Sequence, residues 1–255
     1  MLIDRTLWGD IDRVAVAIER LRQFEPPEGY YLAYSGGKDS TVLLALARMA
    51  GIRFDAHYSL TTVDPPELVR FIRREEPTVI WDRPYRTMWQ LIVHNLHPPT
   101  RLARYCCRAL KEDKGKGRVV LTGIRAEESR KRKARQMVET CYRGNKRYMH
   151  PIIDWTERDV WSFIRGQHLP YCSLYDEGWT RLGCVMCPMS GRAGRLRDAE
   201  RWPKYWAAYV RAFDRMLTAR GARGKERDWV SGEDVMQWWL ADAKAIPTEQ
   251  IPMFA

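Results

Sequence analysis

The sequence predicts an α/β protein built on a parallel, doubly wound sheet. Short apolar runs typical of buried strands recur between residues 30 and 153. Segments with helical spacing separate several of them, and the first run leads through a glycine-rich turn into a helix. Hydrophobic residues make up 45% of the 255-residue chain, which is enough for a packed core. We expect a sheet domain over residues 1–190 and a Trp- and Arg-rich helical extension over residues 191–255 packed on it.

The apolar pattern also places the individual elements along the chain. A helix over Asp10–Gln23 is indicated by apolar residues at the spacing of one helical face. The predicted strands are Tyr30–Tyr34, Arg53–Leu60, Thr78–Trp81, Val119–Ile124 and Tyr148–Ile153. The predicted helices between them are Thr41–Ala50, which ends at Gly51, then Pro66–Glu75 and Tyr85–Asn95.

Three further helices are predicted towards the C-terminus. Thr156 is a candidate N-cap with Asp159 at the third helical position, and Ser231 is a candidate cap of the last helix. Aromatic residues recur at helical spacing within Glu200–Leu217. This face is expected to pack in the core, and a base-stacking platform is the alternative. Its members are Trp202, Tyr205, Trp206, Tyr209, Phe213 and Met216.

The charge and the cysteine content narrow the function classes. The net charge of +11 and the pI of about 9.5 favour a polyanionic partner, which can be nucleic acid, nucleotide phosphates or an acidic protein. No apolar run is long enough for a membrane span, and the first ten residues lack the features of a signal peptide. We therefore expect a cytoplasmic protein, in which the six cysteines serve metal or redox chemistry rather than disulfides.

The segment Ser35-Gly36-Gly37-Lys38-Asp39-Ser40 is a candidate phosphate loop. It lies between a predicted strand and a predicted helix, where glycines let backbone N–H groups approach a phosphate and the helix N-terminus favours negative charge. The pattern differs from Walker A, which has a longer spacer. It resembles the PP-loop of ATP pyrophosphatases, Ser-Gly-Gly-X-Asp-Ser, and so implies ATP cleavage between the α and β phosphates with Mg²⁺. The alternative is an ordinary glycine-rich turn.

The cysteines form a candidate metal site. Cys106 and Cys107 are adjacent, and Cys184 and Cys187 form a Cys-x-x-Cys that precedes Pro188. Such a pair brings two thiolates to one metal ion or cluster, and Cys106, Cys107 and Cys172 can complete the set. Spacing leaves iron–sulfur and zinc both open, and buried inert thiols are the remaining alternative. Cys141 stands alone in a basic stretch.

From about Tyr31 to Pro188 the chain resembles the phosphoadenosine-phosphosulfate (PAPS) reductase family, particularly its iron–sulfur branch of adenylyl-sulfate (APS) reductases. The matching segments are Cys106–Arg108, Thr122–Arg125 with Glu128–Ser129, Pro151–Thr156 with Asp159–Trp161, Leu169–Tyr171, and Gly183–Cys184 with Cys187. The resemblance implies an adenine nucleotide α-hydrolase fold and a [4Fe–4S] cluster held by the adjacent pair and the Cys-x-x-Cys. Cys184, Cys187 and Cys106 are the leading ligands, and Cys107 and Cys172 compete for the fourth position.

Two departures from the reductases change the expected reaction. The phosphate loop is of the intact ATP type, and no cysteine follows Cys187 to attack sulfur. The chain is also similar to PAPS reductase-like subunits of DNA phosphorothioation systems and to tRNA-thiolating PP-loop enzymes. This likeness implies adenylation of an acceptor, with DNA or RNA favoured, followed by sulfur transfer that involves a sulfur donor or partner subunit. A reductase that uses an external thiol and a non-catalytic, nucleotide-sensing iron–sulfur protein are the rivals.

Further candidate residues lie at the expected carboxyl edge of the sheet. Arg125 and Arg130 would, by resemblance, contact nucleotide phosphates, whereas the run from Lys131 to Arg135 can equally be a solvated loop. Asp64 can contact the nucleotide or Mg²⁺, or can be a turn residue. Lys38, Asp39 and Arg125 are the candidate catalytic residues.

Overall fold

The computed structural model describes residues 2–6, 9–225 and 229–241. Within these ranges the chain forms two compact units. The sheet unit combines the residues up to Leu60 with Pro66–Arg83 and Glu112–Leu182. The helical unit combines Thr61–Pro65, Pro84–Lys111 and the chain from Gly183 onwards. This division differs from the expected boundary at residue 190, because segments distant in sequence pack with the C-terminal helices.

A six-stranded sheet forms the core of the sheet unit. Its strands are β3 (Tyr30–Tyr34), β4 (Phe54–Ser59), β5 (Ile80–Asp82), β6 (Val119–Leu121), β7 (Val138–Cys141) and β8 (Lys146–Met149). Their order is β5-β4-β3-β6-β8-β7, and all neighbours are parallel except the edge pair β7 and β8. A separate antiparallel pair joins β1 (Ile3–Thr6) to β2 (Gly9–Asp12). The expectation of a parallel sheet therefore holds for five of the six strands.

The sheet unit contains helices close to four predicted ones and a short charged helix that was not predicted. They are α1 (Arg13–Gln23), α2 (Lys38–Ala50), α3 (Pro66–Glu75), the short α6 (Arg130–Lys133) and α7 (Glu157–Gly166). The N-terminus of α7 has the expected capping box, in which the Thr156 side chain accepts from the Asp159 amide and the Asp159 carboxylate accepts from the Thr156 amide. Contacts of α2 with α1, α7 and β3 make it the central helix of this layer.

The helical unit is built around a long aromatic helix. Its helices are α4 (Met88–Asn95), the short α5 (Tyr105–Cys107), α8 (Gly191–Arg201), α9 (Pro203–Gly221) and α10 (Gly232–Leu240). The ring of Tyr209 on α9 lies 4.9 Å from Trp89 on α4 and 4.9 Å from Trp239 on α10. Trp202, Tyr209, Phe213 and Met216 are buried, which confirms the expected core face for these residues.

Several predicted boundaries differ from the structure. Two predicted strands end early, because β6 stops at Leu121 and β8 stops at Met149 before a turn that begins at Pro151. The predicted Glu200–Leu217 helix is divided between α8 and α9 at Trp202, since Pro203 occupies the first turn of α9. The β1–β2 pair and the antiparallel strand β7 were absent from the prediction.

Candidate nucleotide-binding loop and cysteine group

The phosphate loop lies at the carboxyl edge of the sheet, between β3 and α2, as expected. The Ser40 hydroxyl closes the loop, because it accepts from the Ser35 amide at 3.1 Å and donates to the Gly37 carbonyl at 2.8 Å. Gly36 has a φ of 70°, and a Cβ there would lie 2.7 Å from Leu68 Cδ1 of α3. Position 36 therefore requires glycine on conformational and steric grounds. The loop leads directly into the N-terminal amides of α2, which suit an anion.

Lys38 is held by groups of its own unit. Its backbone N–H donates to the Tyr175 hydroxyl at 2.8 Å, and its Nζ donates to the Thr180 carbonyl at 3.0 Å. The Nζ also lies 3.6 Å from an Asp39 carboxylate oxygen and 3.8 Å from one of Glu157. The side chain is only 5% exposed, so its charge is balanced by neighbours rather than by water. Tyr175 and Thr180 were not among the predicted site residues, since the sequence motif around them drew attention only through Cys172.

Arg125 is buried against the start of α2. Its Nε donates to Asp39 Oδ1 at 2.6 Å, and its Nη1 donates to Glu127 Oε2 at 2.9 Å. Burial opposes the charge, but the carboxylates of Asp39, Glu128 and Glu127 outweigh it and raise the pKa of Arg125. In this arrangement the guanidinium positions Asp39 beside the loop.

The strand and loop that carry Arg125 also approach α2 through the backbone. Gly123 follows β6, and a Cβ at this position would lie 2.8 Å from the Asp39 carbonyl oxygen. The neighbouring parallel strands β3 and β6 bring their carboxyl ends together, so the two sequence motifs meet at one edge of the sheet. Arg130 lies farther along, as an exposed residue at the start of α6.

Asp64 belongs to the helical unit. Its carboxylate accepts from the Thr61 amide at 2.7 Å, and its carbonyl accepts from the Tyr205 hydroxyl at 2.7 Å. These contacts correspond to the turn role that the sequence left as the alternative to a nucleotide contact.

Four cysteines lie in the helical unit, on two segments. Cys106 and Cys107 lie in α5, and Cys184 and Cys187 lie in the loop before α8. That loop is fixed by hydrogen bonds from the Val185 amide to the Val63 carbonyl at 2.7 Å and from the Met186 amide to Asp198 at 2.9 Å. The two parts of the predicted ligand set therefore belong to one compact unit.

Neighbouring thiols shift the pKa values of Cys106, Cys107 and Cys187. A hydrogen bond from Cys106 to Cys107 favours the thiolate of Cys107 and raises the pKa of Cys106, with burial and the charges of Cys184 and Cys187 acting in the same direction on Cys106. Burial and the charge of Cys184 raise the pKa of Cys187. Thiolates in this group repel one another, and a bound cation or cationic cluster relieves such repulsion.

Cys172 has different surroundings. It belongs to the sheet unit and is 1% exposed. Burial raises its pKa, and the nearby charges that act in the same direction are the carboxylates of Glu67, Glu177 and Asp176. Its setting is that of a packed thiol near acidic groups.

The cysteine donors fit a four-coordinate metal centre in number and in chemistry. Four thiols suit either [4Fe–4S] iron or zinc. Among the described residues, no three His, Cys, Asp or Glu side chains are already gathered at the distances of a metal site.

Comparison with known proteins agrees with this architecture. A phosphoadenylyl-sulfate (PAPS) reductase from Candida auris, solved as a phosphate complex, has a TM-score of 0.54 at 18% identity, covering 66% of this chain and 87% of that chain. The fold is of the PP-loop, adenine nucleotide α-hydrolase type, with a helical C-terminal region. The phosphoadenosine phosphosulfate reductase domain matches residues 29–190, and the chain belongs to this family.

Two relatives illustrate the range of the family. An uncharacterized protein of Methanocaldococcus jannaschii is 30% identical over 191 residues, covering 70% of this chain and 46% of that protein. The adenosine 5′-phosphosulfate reductase of Neisseria meningitidis serogroup A is 36% identical over 105 residues, covering 39% of this chain and 43% of that enzyme. The matched region thus spans less than half the length of these relatives. None of the described helices combines the length and apolarity needed to cross a bilayer.

Proposed function

We propose that this protein is an ATP pyrophosphatase that adenylates an acceptor for sulfur transfer, with nucleic acid as the favoured acceptor. The observation that carries the proposal is the intact Ser35–Ser40 loop at the carboxyl edge of the sheet, with Asp39 held in place by Arg125. The loop presents the N-terminus of α2 and the charge of Lys38 to a polyphosphate.

The proposed first step is adenylyl transfer. An acceptor oxygen attacks the α-phosphorus of ATP, the bond between the α-phosphorus and the bridging oxygen breaks, and pyrophosphate leaves. Mg²⁺, when bound, would neutralise the charge of the leaving pyrophosphate. The loop amides and Lys38 hold the β and γ phosphates, and Arg125 keeps Asp39 oriented. Sulfur at the oxidation level of sulfide, supplied by a donor, then attacks the atom that carries the adenylated oxygen; the bond to that oxygen breaks, and AMP leaves with it.

The cysteine group supports a sulfur-handling role. Cys106, Cys107, Cys184 and Cys187 would hold a [4Fe–4S] cluster, and such a cluster supplies a site that can bind or deliver sulfur. Zinc held by the same residues is the alternative metal. The net charge of +11 supports a nucleic-acid acceptor, because basic surfaces bind phosphate backbones.

A second candidate is supported by family membership and by the reductase relatives. In that case the protein reduces PAPS or APS to sulfite with an external thiol. Two assays on anaerobically purified protein distinguish the adenylating enzyme from the reductase. Pyrophosphate release from ATP in the presence of RNA or DNA, lost in Lys38→Ala, supports the adenylating enzyme. Sulfite release from PAPS or APS without ATP turnover contradicts it, and no turnover in either assay favours a nucleotide sensor.

A further inference from the structure

The segment Tyr171–Thr180 lies against the phosphate loop, and we call it the strap. It is anchored by Cys172 and Leu174, which are 1% and 0% exposed. A short 3-10 turn, Ser173–Tyr175, directs the Tyr175 side chain towards α2, and the Trp179 amide closes the following bend on the Leu174 carbonyl at 3.0 Å. Within this bend, Asp176, Glu177 and Gly178 are exposed.

The strap accepts hydrogen bonds from both the backbone N–H and the side-chain amine of Lys38. The Tyr175 hydroxyl accepts from the Lys38 backbone N–H, and the Thr180 carbonyl accepts from the Lys38 Nζ. The same hydroxyl lies 3.4 Å from where a Cβ on Gly37 would be, so it fills the space directly over the loop. Two groups that a phosphate loop offers to its ligand are therefore occupied by the strap.

The contacts that hold the strap are of the kind that an anion displaces. A neutral hydroxyl and a neutral carbonyl form weaker hydrogen bonds than a phosphate oxygen does with the same N–H groups. Burial raises the pKa of Tyr175, so the hydroxyl stays neutral at physiological pH.

We propose that the strap is a gate that nucleotide phosphates displace, with the Tyr175 hydroxyl standing where a phosphate oxygen binds. This inference rests on the proposed function, because it concerns the same loop. Binding of ATP then releases the Lys38 amide and amine from the strap and transfers them to the phosphates. The anchor at Cys172 and Leu174 keeps the strap attached while the part from Tyr175 to Thr180 moves.

The first test measures ATP affinity by calorimetry on the full chain. Tyr175→Phe keeps the ring, which packs 5.1 Å from Trp161, and removes only the competing hydroxyl. In the wild type, ATP must break the hydrogen bond between the Lys38 N–H and the Tyr175 hydroxyl. Because the variant lacks this bond, it is expected to bind ATP about fivefold more tightly. Tyr142→Phe is the matched control, because this tyrosine is 91% exposed and lies outside the strap. The affinity of this control should match that of the wild type.

The second test follows the strap itself by hydrogen exchange and mass spectrometry. Bound ligands usually slow exchange, whereas the gate requires peptides covering residues 173–180 to exchange faster when ATP is bound. Weaker or unchanged ATP binding by Tyr175→Phe, or slowed or unchanged strap exchange while wild-type protein binds ATP, overturns the gate and leaves the proposed function standing. Absence of ATP binding by both proteins rejects the phosphate-loop function and the gate with it.

Discussion

The Nε of Arg125 lies 2.6 Å from Oδ1 of Asp39, which links the loop after β6 to the first turn of α2. The Arg125 side chain is 2% exposed and that of Asp39 is 21% exposed, so the guanidinium is buried and the carboxylate reaches solvent. Without Arg125, Asp39 keeps the Lys38 amine at 3.6 Å and loses the contact that orients its carboxylate.

The first prediction concerns this pair. Arg125→Ala should lower the free energy of unfolding by about 2 kcal/mol, because the hydrogen bonds from the buried guanidinium to Asp39 and Glu127 are lost. It should also weaken ATP binding, since the freed Asp39 carboxylate lies beside the loop. Urea denaturation and calorimetry measure the two effects. Arg135→Ala, which removes a more exposed i,i+4 pair with Glu139, should change stability by about 0.5 kcal/mol or less. Equal losses of unfolding free energy in the two variants would show that the Arg125 ion pair contributes no more to stability than an exposed pair does.

The second prediction separates steric fit from backbone conformation in the phosphate loop. Gly36 and Gly51 have similar left-handed φ values of 70° and 66°. A Cβ at position 36 would lie 2.7 Å from Leu68, whereas a Cβ at position 51 meets no atom within 4 Å. Gly51→Ala should therefore cost about 1 kcal/mol from backbone strain alone, and Gly36→Ala about 3 kcal/mol from strain with overpacking.

The same pair of variants tests the location of the nucleotide. Gly36→Ala should lose ATP binding, and Gly51→Ala, at the far end of α2, should retain it. Unfolding by urea gives the stability difference, and calorimetry on the folded variants gives the affinity. Wild-type affinity in a folded Gly36→Ala protein would place the nucleotide elsewhere.

The third prediction concerns the pH dependence of stability. His150 is fully buried, its Nδ1 lies 2.7 Å from the Thr122 hydroxyl, and its Nε2 has no hydrogen-bond partner among the described residues. Burial, helped by the charges of Arg135 and Arg132, lowers its pKa from 6.5 to about 4, and Glu139 opposes this shift only in part.

The sign of the effect follows from which state binds the proton. Between pH 6.5 and about 4 the unfolded chain protonates His150 and the folded chain does not, so stability falls as the pH is lowered through this window. The total loss is about 3 kcal/mol, at about 1.4 kcal/mol for each tenfold change in proton affinity. Urea denaturation across this range should show a flatter profile for His150→Asn. His168→Asn, at an exposed position, should keep the wild-type slope.

The sequence predicted well those elements that are specified by residues within the segment itself. The strand Tyr30–Tyr34 and the helix Pro66–Glu75 have the predicted bounds, because an apolar run and an amphipathic face each reflect the burial of the segment itself. The Thr156 cap was predictable for the same reason, since a capping box involves residues only three positions apart.

Features set by contacts between distant segments were not predictable from the sequence. Tyr175 lies 137 positions from Lys38, and no spacing rule brings its hydroxyl to that amide. The antiparallel placement of β7 depends on pairing with β8 at the sheet edge, which the apolar pattern of β7 does not specify. Arg125 was predicted as a phosphate ligand from resemblance, and only the fold shows that its guanidinium also binds Asp39 and Glu127.

The last prediction assigns the ligands of the proposed cluster. The fourth position was open between Cys107 and Cys172, and the structure favours Cys107, which shares the helical unit with Cys106, Cys184 and Cys187 and interacts directly with Cys106. Serine variants of these four residues, purified without oxygen, should lose most of their iron and acid-labile sulfide, because a [4Fe–4S] cluster takes one thiolate at each iron. Cys172→Ser should retain both iron and sulfide, as should the control Cys141→Ser, whose thiol lies in the edge strand β7.

Iron loss in Cys172→Ser with retention in Cys107→Ser would reverse the assignment. Stoichiometric zinc without sulfide in the wild-type protein would show that the cysteines bind a structural metal and not a cluster. The sulfur-handling part of the proposed function would then be wrong. The nucleotide-binding part would still be tested by the Lys38→Ala variant.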